Sequence, residues 1–363
     1  MCHLKVLLAL MIFPLVFVLP QADAQPLRQA LDIIEESVAN GDIPGASVLV
    51  LRKEKVIVDR AFGICDRSDQ SAFQTDTICW IASLTKPITV AAAITLVEDG
   101  SLELDATVDK YLPEFQRKNT NAGRSIPTVR QLMSHSSGIQ SSVPLRPRLF
   151  FKQAWYNRSL KEIAAAIAET KLVFEPGTQV QYSNAAPYVL GRIVEKLSGQ
   201  DFGDYLEAKI LRPLGMNDTG FSVRPEDVDR VAVVYRRENQ ATTEFCRYDP
   251  KWQVKMTMPD GGLFSTPADI AKFANAFLNE GKPILPKESA SEMLAQQSKG
   301  YGLGWILDEP NQFSHWGSSG TLVWGDLKND IVGVVFIQIQ DLRLVADIHR
   351  RFRHAVSHAS QIP

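Results

Sequence analysis

Several things are scarce in this chain, and each scarcity closes off a class of answer. Charge of one sign is absent: 39 Lys and Arg face 41 Asp and Glu, a formal charge of −2, so nothing in the composition attracts a nucleic-acid backbone. No CxxC or HxxxC spacing supplies metal ligands, so catalysis has to be sought without a metal, and no cofactor is called for. His354 and His358, four apart, lack a third ligand at useful spacing. Internal repeats and low-complexity tracts are also missing, which leaves an ordinary globular chain.

One long apolar run occurs, Val6 to Leu19. It contains Pro14 and is shorter than the roughly 20 residues of a spanning helix, so a permanent anchor is the weaker reading. With Met1 to Lys5 before it and Ala22-Asp23-Ala24 after it, residues 1–24 read as a secretory signal peptide. The expectation is a secreted or periplasmic protein with no stable membrane span, starting near Gln25. Processing removes Lys5 and Asp23, so the net charge is unchanged. Of the four cysteines, Cys65, Cys79 and Cys246 would remain. An oxidising compartment permits one bridge; Cys65 and Cys79 are the closer pair, with Cys246 left over.

The remaining residues, about 340, exceed one ordinary core. Leu27, Leu31, Ile34 and Val38 recur at helical spacing over Pro26 to Ala39, ending at Asn40-Gly41. Ala46 to Leu51 and Val56 to Ala61 read as a hairpin. Near the other end Gly304 to Leu307, Thr321 to Trp324 and Ile331 to Ile339 are strand-like, and a helix follows from Leu342 to about His358. The middle is helical over Val90 to Glu98, Ser159 to Thr170, Ala186 to Leu197 and Ala268 to Leu278. The pattern predicts an α/β (α+β) fold: an antiparallel sheet formed by both chain ends and flanked by helices, with an inserted, mostly helical lobe. The domain would run over 25–363, with 25–85 and 260–363 as the sheet lobe and 86–259 as the helical lobe. Phe150-Phe151 and Trp155-Tyr156 are either local packing or an apolar substrate wall.

Ser83-Leu84-Thr85-Lys86 places a serine and a lysine on one face of a helix start. A lysine of lowered pKa could take the hydroxyl proton, and a helix N-terminus favours the negative charge that develops there. Alone the pattern is weak, because an N-cap serine followed by a surface lysine explains it equally. Two further patterns follow in order, Tyr182-Ser183-Asn184 and His315-Trp316-Gly317. Each has a bland counterpart: a core tyrosine, a capping asparagine, a strand-end histidine.

Taken together as SxxK, YxN and HxG, these segments resemble the serine β-lactamase and penicillin-recognising superfamily, in its class C β-lactamase and esterase branch. The resemblance extends through Leu132 to Gly138, Phe174 to Gly177, Pro213 to Met216 and Gly261 to Thr266. It implies Ser83 as the acyl-accepting nucleophile, Lys86 and Tyr182 as a shared general base, and Tyr182 as activator of the water. It also implies Asn184 orienting Lys86 or the substrate, Gly317 admitting close backbone approach, and the amides of Ser83 and Ser318 forming an oxyanion hole. His135 would belong to a structural turn beside the site. His315 replaces the lysine usual in the β-lactamases; with an ordinary pKa near 6.5 it is a weaker anchor for a carboxylate. The expected partner is therefore a small-molecule ester, amide or β-lactam. The reading favours an esterase or D-amino-acid amidase or peptidase over a β-lactamase, a D-alanyl-D-alanine carboxypeptidase or a non-catalytic binding module. Oligomeric state is not legible. Asn157-Arg158-Ser159 and Asn217-Asp218-Thr219 are glycosylation sequons, meaningful only in a host that glycosylates.

Overall fold

Apolar residues alternating near both ends of the chain build one sheet. The computed structural model describes residues 21–116, 125–144, 158–238, 241–249 and 257–359, with backbone alone over 21–26. The described strands are β1 (Gly45–Arg52), β2 (Lys55–Asp66), β3 (Ser71–Ala72), β4 (Cys79–Trp80), β5 (Val234–Glu238), β6 (Ala241–Cys246), β7 (Phe264–Ser265), β8 (Gln312–Gly317), β9 (Thr321–Asp326), β10 (Ile331–Phe336) and β11 (Ile339–Gln340). The described helices are α1 (Gln21–Ala39), α2 (Thr85–Glu98), α3 (Val129–Met133), α4 (Leu160–Ala168), α5 (Ala186–Ser198), α6 (Phe202–Leu206), α7 (Pro267–Leu278), α8 (Lys287–Leu294) and α9 (Leu342–Ala359).

The large sheet has the order β3-β2-β1-β10-β9-β8, and every pairing in it is antiparallel. Strands from the two chain ends meet where β1 pairs with β10, Val48 opposite Val335. The period-two pattern sends alternate side chains to opposite faces. Val48, Val50, Trp324 and Val335 face α1 and α9, packing with Ile34, Ile348 and Phe352. Leu49, Val323, Val334 and Phe336 face α7 and the helical region, packing with Phe273, Phe277 and α2. Burying each such side chain stabilises by roughly 1.5–3 kcal/mol. The sheet thus forms the central layer, with helices on both faces.

Helix α2 is apolar around its whole circumference, and its residues from Thr85 to Ile94 are all buried. A helix of that kind belongs in the middle of a domain. It packs on α5 and α6 and delivers its N-terminus to the end of β8 through the turn Ala82–Leu84.

The expected helices at 159–170, 186–197 and 268–278 are present within a residue or two, as is the terminal helix. The first helix is also present and begins at Gln21, upstream of the expected processing site. The strand expected over Gly304 to Leu307 does not form. Gly304 has φ +78, its position a Cβ would fill lies 3.0 Å from Val90, and Ile306 makes only isolated bridges to Tyr301 and Ser314. Leu303 and Trp305 are core residues, Trp305 packing on Phe273 and Phe277 of α7 and on Phe313 of β8, so the apolar run marks core packing rather than a strand. The edge strand is β8. The bridge that an oxidising compartment would permit between Cys65 and Cys79 is not formed: both are buried free thiols, as is Cys246. The Cys65 thiol donates to the Ala72 carbonyl across β2 and β3, and Cys79 is committed to β4, which pairs with β7.

Candidate active site

Ser83 is half-buried in a short 3₁₀ turn, Ala82–Leu84, immediately before α2. Pro87 sits in the first helical turn, where a missing N–H costs nothing, and the Thr85 hydroxyl donates to the Ala82 carbonyl at 2.7 Å. Ala82 has φ +47, a left-handed conformation that costs a non-glycine residue about 1–3 kcal/mol. The strain is held by neighbours. Ile81 N–H donates to Leu263, β4 pairs with β7, and the Ser319 and Thr321 hydroxyls donate to the Trp80 and Ile81 carbonyls.

Lys86 projects from the first turn of α2 and is 2% exposed. Its Nζ donates to Ser83 Oγ at 3.0 Å, Asn184 Oδ1 at 2.9 Å and the Asp260 carbonyl at 2.6 Å. An ammonium has three hydrogens, and here each has an acceptor. Nζ also lies 4.8 Å from the centre of the Tyr182 ring. The Tyr182 hydroxyl is hydrogen-bonded to Ser83, yet burial dominates and pushes the phenol above its ordinary range.

Tyr182 and Asn184 lie in the extended segment before α5, and the Ser183 hydroxyl between them accepts the Ala186 N–H at 3.0 Å. His135 braces this segment. Its carbonyl accepts Gln181 N–H at 2.9 Å, its Nδ1 accepts Ser183 N–H at 3.2 Å, and its ring lies 4.5 Å from that of Tyr182. Burial, reinforced by Lys86 and His315, holds His135 well below the usual histidine range. Tyr301 closes the far side of the His135 ring at 5.0 Å.

His315 is 1% exposed on β8, opposite Val323 of β9, and its ring centre is 6.4 Å from that of Tyr182. Nδ1–H donates to the Trp316 carbonyl at 2.9 Å, so Nε2 carries the lone pair. That nitrogen is buried and unpartnered. Burial pushes the imidazole down to about 3, and the Lys86 charge acts in the same direction. Gly317 ends β8 against the turn that carries Ser83: a Cβ there would fall 2.3 Å from the Ile81 carbonyl oxygen and 3.2 Å from Ala82 Cβ. Ser318 follows in the turn that Gly320 N–H closes onto the Gly317 carbonyl at 3.0 Å.

Residues far apart in the chain thus meet here: Ser83 from the turn before α2 and Lys86 from its first turn, Tyr182 and Asn184 before α5, His315 and Gly317 from the edge strand with Ser318 in the turn after it. The sequence profile of the family described as Beta-lactamase matches residues 31–356. The chain belongs to the β-lactamase family. This β-lactamase-family protein is 28% identical over 346 residues to "Esterase EstB" of Burkholderia gladioli, covering 84% of this chain and 86% of that one. Other curated relatives are longer, the aligned part spanning 54% to 65% of their length. Among solved structures, "EstCE1, a hydrolase with promiscuous acyltransferase activity" superposes with a TM-score of 0.80 at 23% identity, covering 92% of this chain and 99% of its own. The D-amino acid amidase from Ochrobactrum anthropi superposes with a TM-score of 0.71 at 20% identity, covering 93% and 99%. The protein is a hydrolase of this family.

Sequence reasoning missed the Asp260 carbonyl, the shortest of the three Lys86 contacts. A backbone acceptor leaves no side-chain signal, although the neighbouring Gly261-Gly262 pointed to a close approach, and a Cβ at Gly261 would lie 3.4 Å from Ala82. It also missed Ser141, whose hydroxyl accepts the Asn184 amide at 3.2 Å and so fixes the amide with its oxygen toward Lys86. The segments Phe150-Phe151 and Trp155-Tyr156, and the sequon residue Asn157, lie outside the described residues. The rings of His354 and His358 lie 4.0 Å apart, tilted by 36°, on α9, and among the described residues no group of three or more His, Cys, Asp or Glu is arranged to hold a metal.

Proposed function

We propose that the protein is an exported serine hydrolase that cleaves an ester, or a D-amino-acid amide or peptide, through an acyl-enzyme on Ser83. The observation that carries the reading is the Lys86 Nζ to Ser83 Oγ contact of 3.0 Å, made while Tyr182 holds the same hydroxyl group. Because the ammonium spends its hydrogens on Ser83, Asn184 and Asp260, the hydrogen of Ser83 is left for Tyr182. Tyr182 and Lys86 act as one unit. When that unit has lost a proton, a phenolate beside an ammonium can take the serine proton as Oγ bonds to the substrate carbonyl carbon. The same proton then goes to the leaving oxygen or nitrogen. In the second half, water gives a proton to the unit as its oxygen attacks the acyl carbon, and the unit passes that proton to Ser83 Oγ as the acyl–oxygen bond breaks and the acid leaves. The amides of Ser83 and Ser318 would hold the oxyanion in both halves.

The substrate class follows from His315. A site for a carboxylate-bearing β-lactam or peptide terminus gains from a fixed cation, and an imidazole pushed down to about 3 is neutral at pH 7. An esterase relative and an amidase of the same fold support the ester and amide reading. Export rests on residues 1–24, whose basic start, apolar run and small residues before Gln25 form a signal pattern; among the described residues no helix is long and apolar enough to cross a membrane.

The test is hydrolysis of a short-chain p-nitrophenyl ester, a D-amino-acid amide and a chromogenic cephalosporin side by side, with Ser83→Ala as control. Ester or amide turnover that vanishes in Ser83→Ala supports the reading. Cephalosporin turnover far above the other two would replace it with a β-lactamase, and no turnover or acylation with any of them would point to a binding module.

A further inference from the structure

The turn that carries the Ser318 amide is held from two sides. On the nucleophile side, the Ser319 hydroxyl and the Gln338 amide both donate to the Trp80 carbonyl, at 2.6 and 3.1 Å, and the Thr321 hydroxyl donates to Ile81 at 3.0 Å. On the opposite side stands His349 of α9, 7% exposed, whose Nε2 lies 3.3 Å from the Gly320 carbonyl. A carbonyl only accepts, so Nε2 carries the hydrogen. Gly320 has φ +91, which glycine alone adopts without strain, and its carbonyl also accepts Ile337 N–H at 3.1 Å. The carbonyl therefore has two donors from two elements, and these fix the peptide plane that ends the Gly317 to Gly320 turn.

We propose that His349 is a positioning residue for the oxyanion hole, acting through Gly320 on the Ser318 amide; this rests on the oxyanion role given to Ser318 above. Oxyanion donors act only when held at about 2.7–3.1 Å from the place where the charge develops. A turn released on its α9 side keeps its contacts to Trp80 and Ile81 but gains freedom where the Ser318 N–H must point. His349 does not touch the reacting atoms and holds none of the residues that bind Lys86, so its loss should slow chemistry and leave substrate binding nearly untouched.

The surroundings of His349 provide an unusual control. A cavity of about 630 Å³ lies between α9 and β8, and His349 lines it together with Trp316, Leu322, Val345 and His354. Trp316 is 43% and Leu342, at the rim, 57% exposed, so the space communicates with solvent. It is large enough for a free imidazole, which could refill a truncated position and restore the donor to Gly320.

The experiment compares His349→Gln, His349→Leu and His349→Ala by steady-state hydrolysis of a p-nitrophenyl ester, the alanine variant with and without added imidazole. Ser83→Ala with imidazole gives the uncatalysed background. Loss of a whole oxyanion donor costs roughly 10²- to 10³-fold in kcat, so a misaimed one should cost about 10-fold or more in His349→Leu, with KM within about 2-fold. His349→Gln, which keeps an N–H donor, should stay within about 3-fold of the wild type, and imidazole should raise kcat of His349→Ala saturably. Wild-type kcat in His349→Leu, or equal losses in the glutamine and leucine variants, would overturn the proposal. If the leucine variant does not fold, the alanine variant decides, and absence of imidazole rescue overturns the proposal. Full activity in Ser83→Ala would instead overturn the underlying reading of the site.

Discussion

Gly317 to alanine is the smallest change that reaches the chemistry without touching a reacting side chain. The added Cβ would sit 2.3 Å from both the Ile81 carbonyl oxygen and the Thr321 hydroxyl. Even the tightest real contacts of a Cβ lie near 3.0 Å, so β8 and the nucleophile turn must separate by about 0.7 Å or more. Neither side yields easily. Ile81 is fixed by its N–H bond to Leu263, Thr321 by its place in β9, and β8 by full pairing with β9. The separation occurs between the segment carrying the Ser83 amide and the segment carrying the Ser318 amide, and so widens the oxyanion hole proposed for these two amides. A misplacement near 1 Å costs on the order of 10²-fold in rate, in line with loss of one oxyanion donor, about 3 kcal/mol of barrier. The assay is kcat and KM on a p-nitrophenyl ester with thermal unfolding in parallel. The expected result is a kcat lower by about two orders of magnitude with KM changed far less and the fold retained. A kcat within about 3-fold of the wild type would refute the placement of Gly317 between the two donors.

Lys86→Met strips a donor from Ser83, Asn184 and the Asp260 carbonyl together, and kcat should fall by about 10³-fold or more, with no recovery in Lys86→Arg because the guanidinium does not reproduce three contacts converging on one nitrogen; near-normal turnover in either variant would contradict the shared-base role. Because burial pushes the Tyr182 phenol up, the productive deprotonated state of the Lys86 and Tyr182 unit gains population as pH rises, so kcat/KM should climb on the alkaline side of neutrality, and Tyr182→Phe should abolish that limb together with activity; a rate flat from pH 6 to 9 would speak against it. Acid should also weaken the fold. His315 and His349 are pushed down to about 3 and about 4 by burial, so below pH 6.5 the unfolded chain binds protons that the folded chain refuses. The stability these neutral imidazoles contribute is complete above pH 6.5 and is lost as pH falls toward their folded values, by up to about 2–3 kcal/mol each at pH 4.5. Urea unfolding at pH 7.5 and 4.5 reads this directly, and equal stabilities would show that the two rings are not buried neutral.

Much of the molecule was legible because periodicity and packing agree. The helices at 160–168, 186–198 and 267–278 follow their apolar spacing, and the β1, β9 and β10 runs are apolar on both faces because both faces of the sheet are covered. Where the reading failed, tertiary contacts had outweighed pattern. Leu303 and Trp305 look like strand residues but are core plugs, whereas Gln312 to Gly317 looks too polar for a strand and forms the sheet edge, placed only by its HxG motif. The pair β5 and β6 went unseen because its exposed side is charged, with Arg236, Arg237 and Glu244 masking the buried Val234 and Tyr235. At the site, the motif residues could be named from sequence, but their supports could not. The Asp260 carbonyl, the strained Ala82 and the His349 contact to Gly320 are backbone or long-range features that no local spacing encodes.

The nucleophile remains the point on which everything else depends, and one covalent measurement addresses it. The intact mass of the protein after reaction with a fluorophosphonate should increase by a single adduct, and peptide mapping should place it on Ser83, with none in Ser83→Ala. Absence of an adduct in the active enzyme, or equal labelling of the alanine variant, would contradict acylation at Ser83.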